Sequence, residues 1–301
     1  MAWAEAEAAG MTKYISVGYD GTRGASIAVD WATREAQVRG ATLQIVRCYA
    51  TPPAAGMGAF GYGEGLDIVR DEAQADLDTC AERVRRMHPT LSVTTRLDNG
   101  AIAPSLLSGA GPDDLVVVGA SRHEGAAAVW LGSTPRALVR HPQCPIVVVR
   151  GVPSFEPTGR IVVGIVGSAS SMAALDWAGD EADRHGVEFL VVHAWDHPYL
   201  PADTASTQAR ELVEIDAACT LDRALEVARA RFGGTVTGRL VSGGSASTLL
   251  GMLNADDLLV VGTRGHGALF SAVFGSTTTA VLEHASAPVV VVPPTAAVPS
   301  A

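Results

Sequence analysis

The sequence predicts an α/β protein made of two tandem doubly wound domains, each with a five-stranded parallel sheet and helices on both faces. An internal repeat divides the 301 residues into two similar halves. Within each half, short apolar segments alternate with longer segments of helical spacing, which is the pattern of parallel strands connected by helices. Runs such as residues 116–118 are apolar without alternation, as strands buried on both faces require.

The repeat is visible residue by residue. Early in each half, a glycine, an Asp-Trp-Ala triplet and a Glu-Ala pair recur 146 residues apart, beginning at Gly18, Asp30 and Glu35 and again at Gly164, Asp176 and Glu181. Later, a glycine, a Gly-Ser-Thr triplet and a proline recur 143 residues apart, beginning at Gly119, Gly132 and Pro145 and again at Gly262, Gly275 and Pro288. We therefore predict domains at 12–150 and 160–293, a linker at 151–159, a disordered N-terminal extension at 1–11 and a loose tail at 294–301.

In the first half, the predicted strands are 14–19, 43–49, 92–97, 115–119 and 145–150. Predicted helices are 25–39, 66–87 and a short one near 104–108, and a fourth begins at Gly132-Ser133. Residues 51–65 contain too much proline and glycine for either regular structure, so they are expected to form a functional or disordered loop. In the second half, the predicted strands are 160–165, 188–195, 236–241, 258–262 and 289–292.

The segment 258–277 combines a buried strand, a loop with three glycines and a helix that begins at Gly275-Ser276-Thr277. Glycines let backbone N–H groups approach a ligand closely, and a helix N-terminus adds a positive dipole. In doubly wound sheets, ligands bind beyond the carboxyl ends of the strands, at the switch point between strands one and four. The segment therefore predicts a phosphate-binding site there.

The spacing G-x2-G-x9-G-[ST], met by Gly262, Gly265, Gly275 and Ser276, resembles the nucleotide loop of universal stress proteins. The resemblance covers about residues 12–150 and 158–293. It implies the strand order 3-2-1-4-5, an ATP site in each domain and pairing of the two fifth strands across a pseudo-twofold axis.

The two predicted sites depart from the family pattern in complementary ways. The second has all its glycines, but Val166 replaces the acidic residue after strand one; its expected nucleotide-binding residues are Gly262, Arg264, Gly265, His266, Gly267, Gly275, Ser276 and Thr277. The first keeps the acidic Asp20, but Arg122 replaces the second glycine; its expected residues are Asp20, Gly119, Arg122, Gly132, Ser133 and Thr134. The alternative interpretation is that the glycines serve tight packing and the hydroxyls only cap helices.

Composition excludes several classes of function. The net charge of −10 argues against a nucleic-acid partner, because binding a phosphate backbone needs a basic surface. The sequence has no apolar run of about 18 residues that would span a membrane, and its acidic first residues do not resemble a signal peptide. The four cysteines show no zinc spacing and are expected to be buried thiols. We expect a cytoplasmic protein.

These observations favour an ATP-binding regulatory stress-response protein that acts through nucleotide-dependent conformation or through a protein partner. Mg²⁺ would arrive with the phosphates, because no carboxylate cluster accompanies the loop apart from Asp20. A homodimer or an intramolecular pseudo-dimer is expected. No nucleophile lies beside a base at a recognisable spacing, so at most slow, incidental ATP hydrolysis is expected. The alternative is a nucleotide-free dimeric interaction module of the same fold.

Overall fold

In the computed structural model, residues 13–50, 62–120, 131–140, 142–150, 159–196, 207–263 and 275–294 are described. The chain divides into two compact units. The first contains the described residues up to Arg150, and the second contains those from Gly159 onward.

The first unit is a parallel sheet in the strand order β3-β2-β1-β4-β5. Its strands are β1 (Tyr14–Gly18), β2 (Thr42–Tyr49), β3 (Val93–Asn99), β4 (Leu115–Gly119) and β5 (Ile146–Val149). Its helices are α1 (Arg23–Arg39), α2 (Tyr62–Met87), α3 (Ile102–Leu107) and α4 (Ser133–Arg140). Helix α3 packs beside α4.

The second unit repeats this arrangement, with the order β8-β7-β6-β9-β10. Its strands are β6 (Arg160–Ile165), β7 (Glu188–Trp195), β8 (Val236–Ser242), β9 (Leu258–Gly262) and β10 (Val289–Val292). Its helices are α5 (Ala169–His185), α6 (Thr207–Arg231), α7 (Ser245–Met252) and α8 (Ser276–His284). The predicted fold class and strand order are confirmed in both units.

The helices that follow β1 and β6 begin and end in the same way. Thr22 caps α1 by accepting a hydrogen bond from the Ala25 N–H, and Ser168 caps α5 by accepting one from the Ser171 N–H. The helices end at Gly40 and Gly186, whose φ angles of 64° and 65° lie in the left-handed region that glycine adopts readily. The first turn and the stop signal of each helix are therefore encoded locally.

Each sheet has a continuous aliphatic core. The side chains of β4, β5, β9 and β10 are almost completely buried, as a sheet covered on both faces requires. In each unit, a glycine near the end of the first strand packs against a leucine of a helix. A Cβ on Gly18 would lie 3.2 Å from Leu106 Cδ1, and a Cβ on Gly164 would lie 2.8 Å from Leu249 Cδ1. The repeat thus extends to an individual contact between a strand glycine and a helix leucine.

An ion pair in the second unit connects two segments that are far apart in the sequence. Arg160, the first residue of β6, donates to both carboxylate oxygens of Asp257, through Nε at 3.1 Å and Nη2 at 2.7 Å. Asp257 precedes β9 and its side chain is 1% exposed. The second oxygen also accepts the Asn254 N–H at 2.9 Å, so the buried carboxylate is well supplied with donors.

Two predictions about local structure need correction. Helix α2 begins at Tyr62 and not near residue 66, so the predicted loop 51–65 loses its last four residues to the helix. Gly63 and Gly65 lowered the expected helical propensity there, but a long helix tolerates them. The cysteines are also not uniformly buried: Cys80 and Cys144 are, whereas Cys48 is half-buried and Cys219 is exposed. No helix in the described part of the chain is long and apolar enough to cross a membrane.

Candidate functional site

A cavity of about 350 Å³ opens at the carboxyl ends of the strands in the first unit. It lies at the ends of the paired strands β1 and β4, which is the switch point at which such sheets bind ligands. Its walls come from the ends of four strands and the first turns of three helices, with Asp20, Thr22, Gly24, Cys48, Ala50, Gly100, Ile102, Gly119, Ala120, Gly132, Ser133 and Thr134 among the residues that line it. Its volume is within the range of small-molecule sites, about 300–1,000 Å³.

One wall of the cavity is the turn from β1 into α1. The Asp20 carboxylate accepts two hydrogen bonds on the same oxygen, Oδ1, from the Thr22 N–H at 2.9 Å and from the Thr22 hydroxyl at 2.6 Å. Gly21 has a φ of 82°, which permits this tight turn. The exposed carboxylate of Asp20 is thus held in place by Thr22 through one oxygen.

A second wall is the end of β4, which touches the backbone of α1. A Cβ on Gly119 would lie 2.3 Å from the Gly24 carbonyl oxygen, and a Cβ on Gly24 would lie 2.9 Å from the Ala120 carbonyl oxygen. The absence of a side chain at Gly119 is therefore required for packing of β4 against α1. Its predicted contact with a nucleotide stays a prediction.

The third wall is the N-terminus of α4. Gly132 precedes the helix, and Ser133 and Thr134 form its first two positions, with backbone N–H groups that the helix itself leaves unpaired. Pro135 occupies the third position and has no N–H. Arg136 Nε donates to the Leu131 carbonyl at 3.1 Å, which holds its guanidinium at this end of the helix. This wall carries positive potential from the helix dipole, whereas Arg136 is exposed and does not line the cavity.

The fourth wall, at the ends of β2 and β3, is less polar. Cys48 lines it, and burial is the largest of the influences that raise the pKa of its thiol. Ser105 of α3 lies beside this thiol and donates its hydroxyl proton to Asp98 Oδ2. Arg96 pairs with the same carboxylate at 3.0 Å. Apart from this thiol, the lining here is provided by small or aliphatic residues, Ala50, Gly100 and Ile102.

The second unit places matching residues at the same end of its sheet. Val166, Gly167 and Ser168 form the turn after β6, and Gly167 has a φ of 74°, close to that of Gly21. A Cβ on Gly262 would lie 2.6 Å from the Ser170 carbonyl oxygen, so this glycine has the same packing role as Gly119. The Gly262 carbonyl accepts the Thr278 hydroxyl at 3.0 Å, which ties the end of β9 to α8.

The first turn of α8 differs from that of α4 in its donors. Gly275 is its N-cap and provides no side-chain cap. Ser276, Thr277 and Thr278 all have backbone N–H groups, and the first two also have hydroxyls that are at least partly exposed. Nearby, the hydroxyls of Ser170 and Thr263 are hydrogen-bonded to each other at 3.2 Å. This helix end is suited to an anion.

The structure brings together part of the predicted site residues. In the first unit, Asp20, Gly119, Gly132, Ser133 and Thr134 line one cavity. In the second unit, Gly262, Gly275, Ser276 and Thr277 lie at the corresponding strand and helix ends. Arg122, Arg264, Gly265, His266 and Gly267 lie outside the described residues.

Sequence reasoning missed the lining residues at and after the ends of β2 and β3. Cys48, Ala50, Gly100 and Ile102 belong to no recognisable motif, because they contact the cavity as isolated positions on separate segments. The rule that ligands bind beyond the carboxyl ends of parallel strands could have found them, since each lies at or just after the end of a predicted strand.

Comparison with known proteins gives a consistent result along the whole chain. The universal stress protein family matches twice, at residues 11–150 and 157–293. Universal stress protein Rv1996 of Mycobacterium tuberculosis is 31% identical over 311 aligned positions, covering 95% of this chain and 97% of the relative. Universal stress protein Rv2005c of the same organism is 30% identical, covering 92% and 96%. A crystal structure of a universal stress protein from Archaeoglobus fulgidus superimposes with a TM-score of 0.73 at 15% identity, covering 92% of this chain and 97% of that one.

Proposed function

The chain belongs to the universal stress protein family, and on that basis we propose that it is a regulatory protein that binds ATP at the carboxyl ends of its two sheets. The single observation that carries the proposal is the cavity of the first unit. It has a volume of about 350 Å³ and is lined by both Asp20 and the N-terminus of α4. It has hydrogen-bond acceptors at one side and anion-attracting groups at the other.

The residues of the first cavity fit the parts of a nucleotide. Ser133 and Thr134 would hold phosphate oxygens through backbone N–H groups and hydroxyls at the start of α4. Asp20 would accept hydrogen bonds from ligand hydroxyl or amino groups through its carboxylate. The small and aliphatic lining after β2 and β3 leaves room for a flat ring. Mg²⁺ would accompany the phosphates.

The second site would use mainly backbone groups. The first turn of α8 has three successive N–H groups at Ser276, Thr277 and Thr278, which suits phosphate. Val166 offers no carboxylate at the position of Asp20, so a ligand would lose one polar contact there. We therefore propose that both units bind, with different polar contacts.

Bound nucleotide would act by changing the surface that a protein partner or a second copy of the chain contacts. The proposed function is binding, with ATP hydrolysis at most slow and incidental. We place this protein in the cytoplasm as part of the same proposal.

A second function is favoured by a specific observation. Gly119 and Gly262 are both explained by packing, since a Cβ on either would overlap the backbone of the neighbouring helix. If the remaining motif residues are also structural, the chain is a nucleotide-free interaction module, dimeric in solution.

Calorimetric titration with Mg-ATP, after removal of any copurified nucleotide, separates the two functions. Ser133→Asp and Ser276→Asp each place a carboxylate at a proposed phosphate position. An acidic residue in the first turn of a helix stabilises that helix, so a loss of binding would not reflect unfolding. We expect two sites in the parent and one in each variant, with unchanged thermal unfolding. Absence of binding in the parent would favour the interaction module.

Each of these two variants has a matched control substitution in the same helix. Arg140→Gln and Glu283→Gln change a charge at the C-terminal ends of α4 and α8, away from the proposed phosphates. Both variants should titrate like the parent. Equal binding by the parent, Ser133→Asp and Ser276→Asp would contradict both assigned sites.

A further inference from the structure

A larger cavity, of about 600 Å³, lies in the second unit at the other edge of its sheet. It opens at the amino ends of β7 and β8, between the end of α5 and the residues that follow α6. Ligands of the switch point bind beyond the carboxyl ends of the strands, so this amino-end cavity is separate from the proposed nucleotide site. Its volume is within the range of small-molecule sites, about 300–1,000 Å³.

Both charged residues that line the amino-end cavity are acidic. They are Asp183, in the last turn of α5, and Glu188, the first residue of β7. A Cβ on Gly234 would lie 3.5 Å from Asp183 Oδ1 and 3.9 Å from the Val187 carbonyl oxygen, so two acceptors face the same point of the wall. The C-terminal ends of α5 and α6 lie next to the lining residues and add the negative potential of their dipoles.

The nearby basic residues are paired with other carboxylates. Arg184, which follows Asp183 in the sequence, pairs with Glu181. Arg160 lies opposite Glu188 on β6 and attracts it electrostatically, but it donates two hydrogen bonds to Asp257. Within the described residues, neither carboxylate of the cavity forms an ion pair. A positively charged ligand would therefore find both available.

The fold does not require these two charges. In the first unit, the corresponding positions are occupied by the uncharged residues Gln37 and Thr42. The turn from α1 into β2 nevertheless has the same pair of backbone hydrogen bonds as the turn from α5 into β7, after the same left-handed glycine. The two carboxylates of the second unit are thus not explained by the structure of the turn.

The size and lining of the cavity suit an organic cation better than a metal ion. Calcium takes six to eight oxygen ligands at about 2.3–2.6 Å around one point, whereas here two carboxylates are spread over about 600 Å³. Ala182 and Val187 provide apolar surface for methylene groups. A Cβ placed on Gly186 or Gly233 would have no atom within 4 Å, so these parts of the wall leave open space.

We propose that the amino-end cavity binds a linear polyamine, with one ammonium group on Asp183, another on Glu188, and the methylene chain along Ala182 and Val187. Ammonium groups donate to carboxylates in charge-assisted hydrogen bonds, and the chain between them covers the apolar part of the wall. This site is independent of the proposed nucleotide binding.

Calorimetric titration of the full chain with spermidine, at an ionic strength of about 0.15 M, tests the proposal. We expect one site in the parent. Asp183→Asn and Glu188→Gln each remove a charge at nearly constant shape, and each should weaken binding about tenfold. Gly233→Leu keeps both carboxylates and fills the open space, without a positive φ to strain its backbone. It should weaken binding about tenfold or more, with unchanged thermal unfolding of the ligand-free protein.

The matched controls are Asp71→Asn and Glu72→Gln, which change the net charge equally at exposed positions of α2. Both should titrate like the parent. An equal loss in these controls would mean general attraction to a chain of net charge −10 and would overturn the proposal. Parent-like affinity in the two carboxylate variants or in Gly233→Leu, or no spermidine binding by the parent, would also overturn it. Displacement of spermidine by an equal concentration of Mg²⁺ would identify a metal site instead.

Discussion

Gly119 and Gly251 are two glycines at which a single added methyl group should have opposite effects. A Cβ at Gly119 would lie 2.3 Å from the Gly24 carbonyl oxygen, and the backbone of both residues is fixed by β4 and α1. We expect Gly119→Ala to lower the free energy of unfolding by about 1–3 kcal/mol, as overpacking does. Chemical denaturation measures this loss.

Gly251 lies in α7 with open space where its Cβ would be. Gly251→Ala should raise the free energy of unfolding by about 0.5–1 kcal/mol, because alanine loses less backbone entropy in a helix. Equal denaturation midpoints for the two variants would contradict the packing role assigned to Gly119.

The buried thiol of Cys144 should make the free energy of unfolding of the first unit fall at alkaline pH. Burial raises the pKa of this thiol from its ordinary value of 9.0 to about 12. Between these two pKa values, the thiol keeps its proton in the folded state but is ionised in the unfolded state. The stabilisation is complete below pH 9 and is lost as the pH rises toward 12.

The comparison of the parent with Cys144→Ala tests this pH dependence. Alanine leaves a small cavity at all pH values but does not titrate. The free energy of unfolding of the parent should therefore fall more steeply between pH 9 and 11 than that of the variant. Parallel curves would show that the thiol ionises equally in both states.

At the scale of a secondary-structure element, the start of α1 depends on one side chain. Thr22 accepts the Ala25 N–H at 3.2 Å and donates its own proton to Asp20. Thr22→Ala should lower the free energy of unfolding by about 1 kcal/mol, the usual cost of a lost N-cap. Thr22→Ser keeps both hydrogen bonds and should stay within a few tenths of the parent. If Thr22→Ser loses as much as Thr22→Ala, the methyl group and not the cap is responsible.

Elements with strong local signals were predictable from the sequence. Strands β4 and β9 have the predicted bounds, because each is an uninterrupted aliphatic run between polar residues and a terminal glycine. The cavity wall formed by Cys48 and Ile102 was not predictable in the same way, since those residues come together only when β2 and β3 pair. The start of α2 was also missed, because glycines near its N-terminus resemble a loop in sequence.

At the scale of the whole unit, Arg160 and Asp257 connect segments 97 residues apart. Arg160→Ala would leave a carboxylate that is 1% exposed without its guanidinium. We expect the free energy of unfolding to fall by about 2–3 kcal/mol, the cost of removing a partner from a buried charged group. Arg160→Lys keeps the charge but not the two-pronged hydrogen bonding, so its loss should be smaller. An unchanged denaturation midpoint in Arg160→Ala would contradict this role.

The contact between Gly18 and Leu106, present again between Gly164 and Leu249, limits how the two copies can diverge. A larger residue on the strand collides with the leucine, and a smaller residue on the helix leaves a void beside the glycine. Neither partner changes first without a penalty, so substitutions at the two positions are epistatic. Descendants of one duplicated gene should therefore retain this pair together or replace both members jointly, even where their ligand-facing residues have drifted apart.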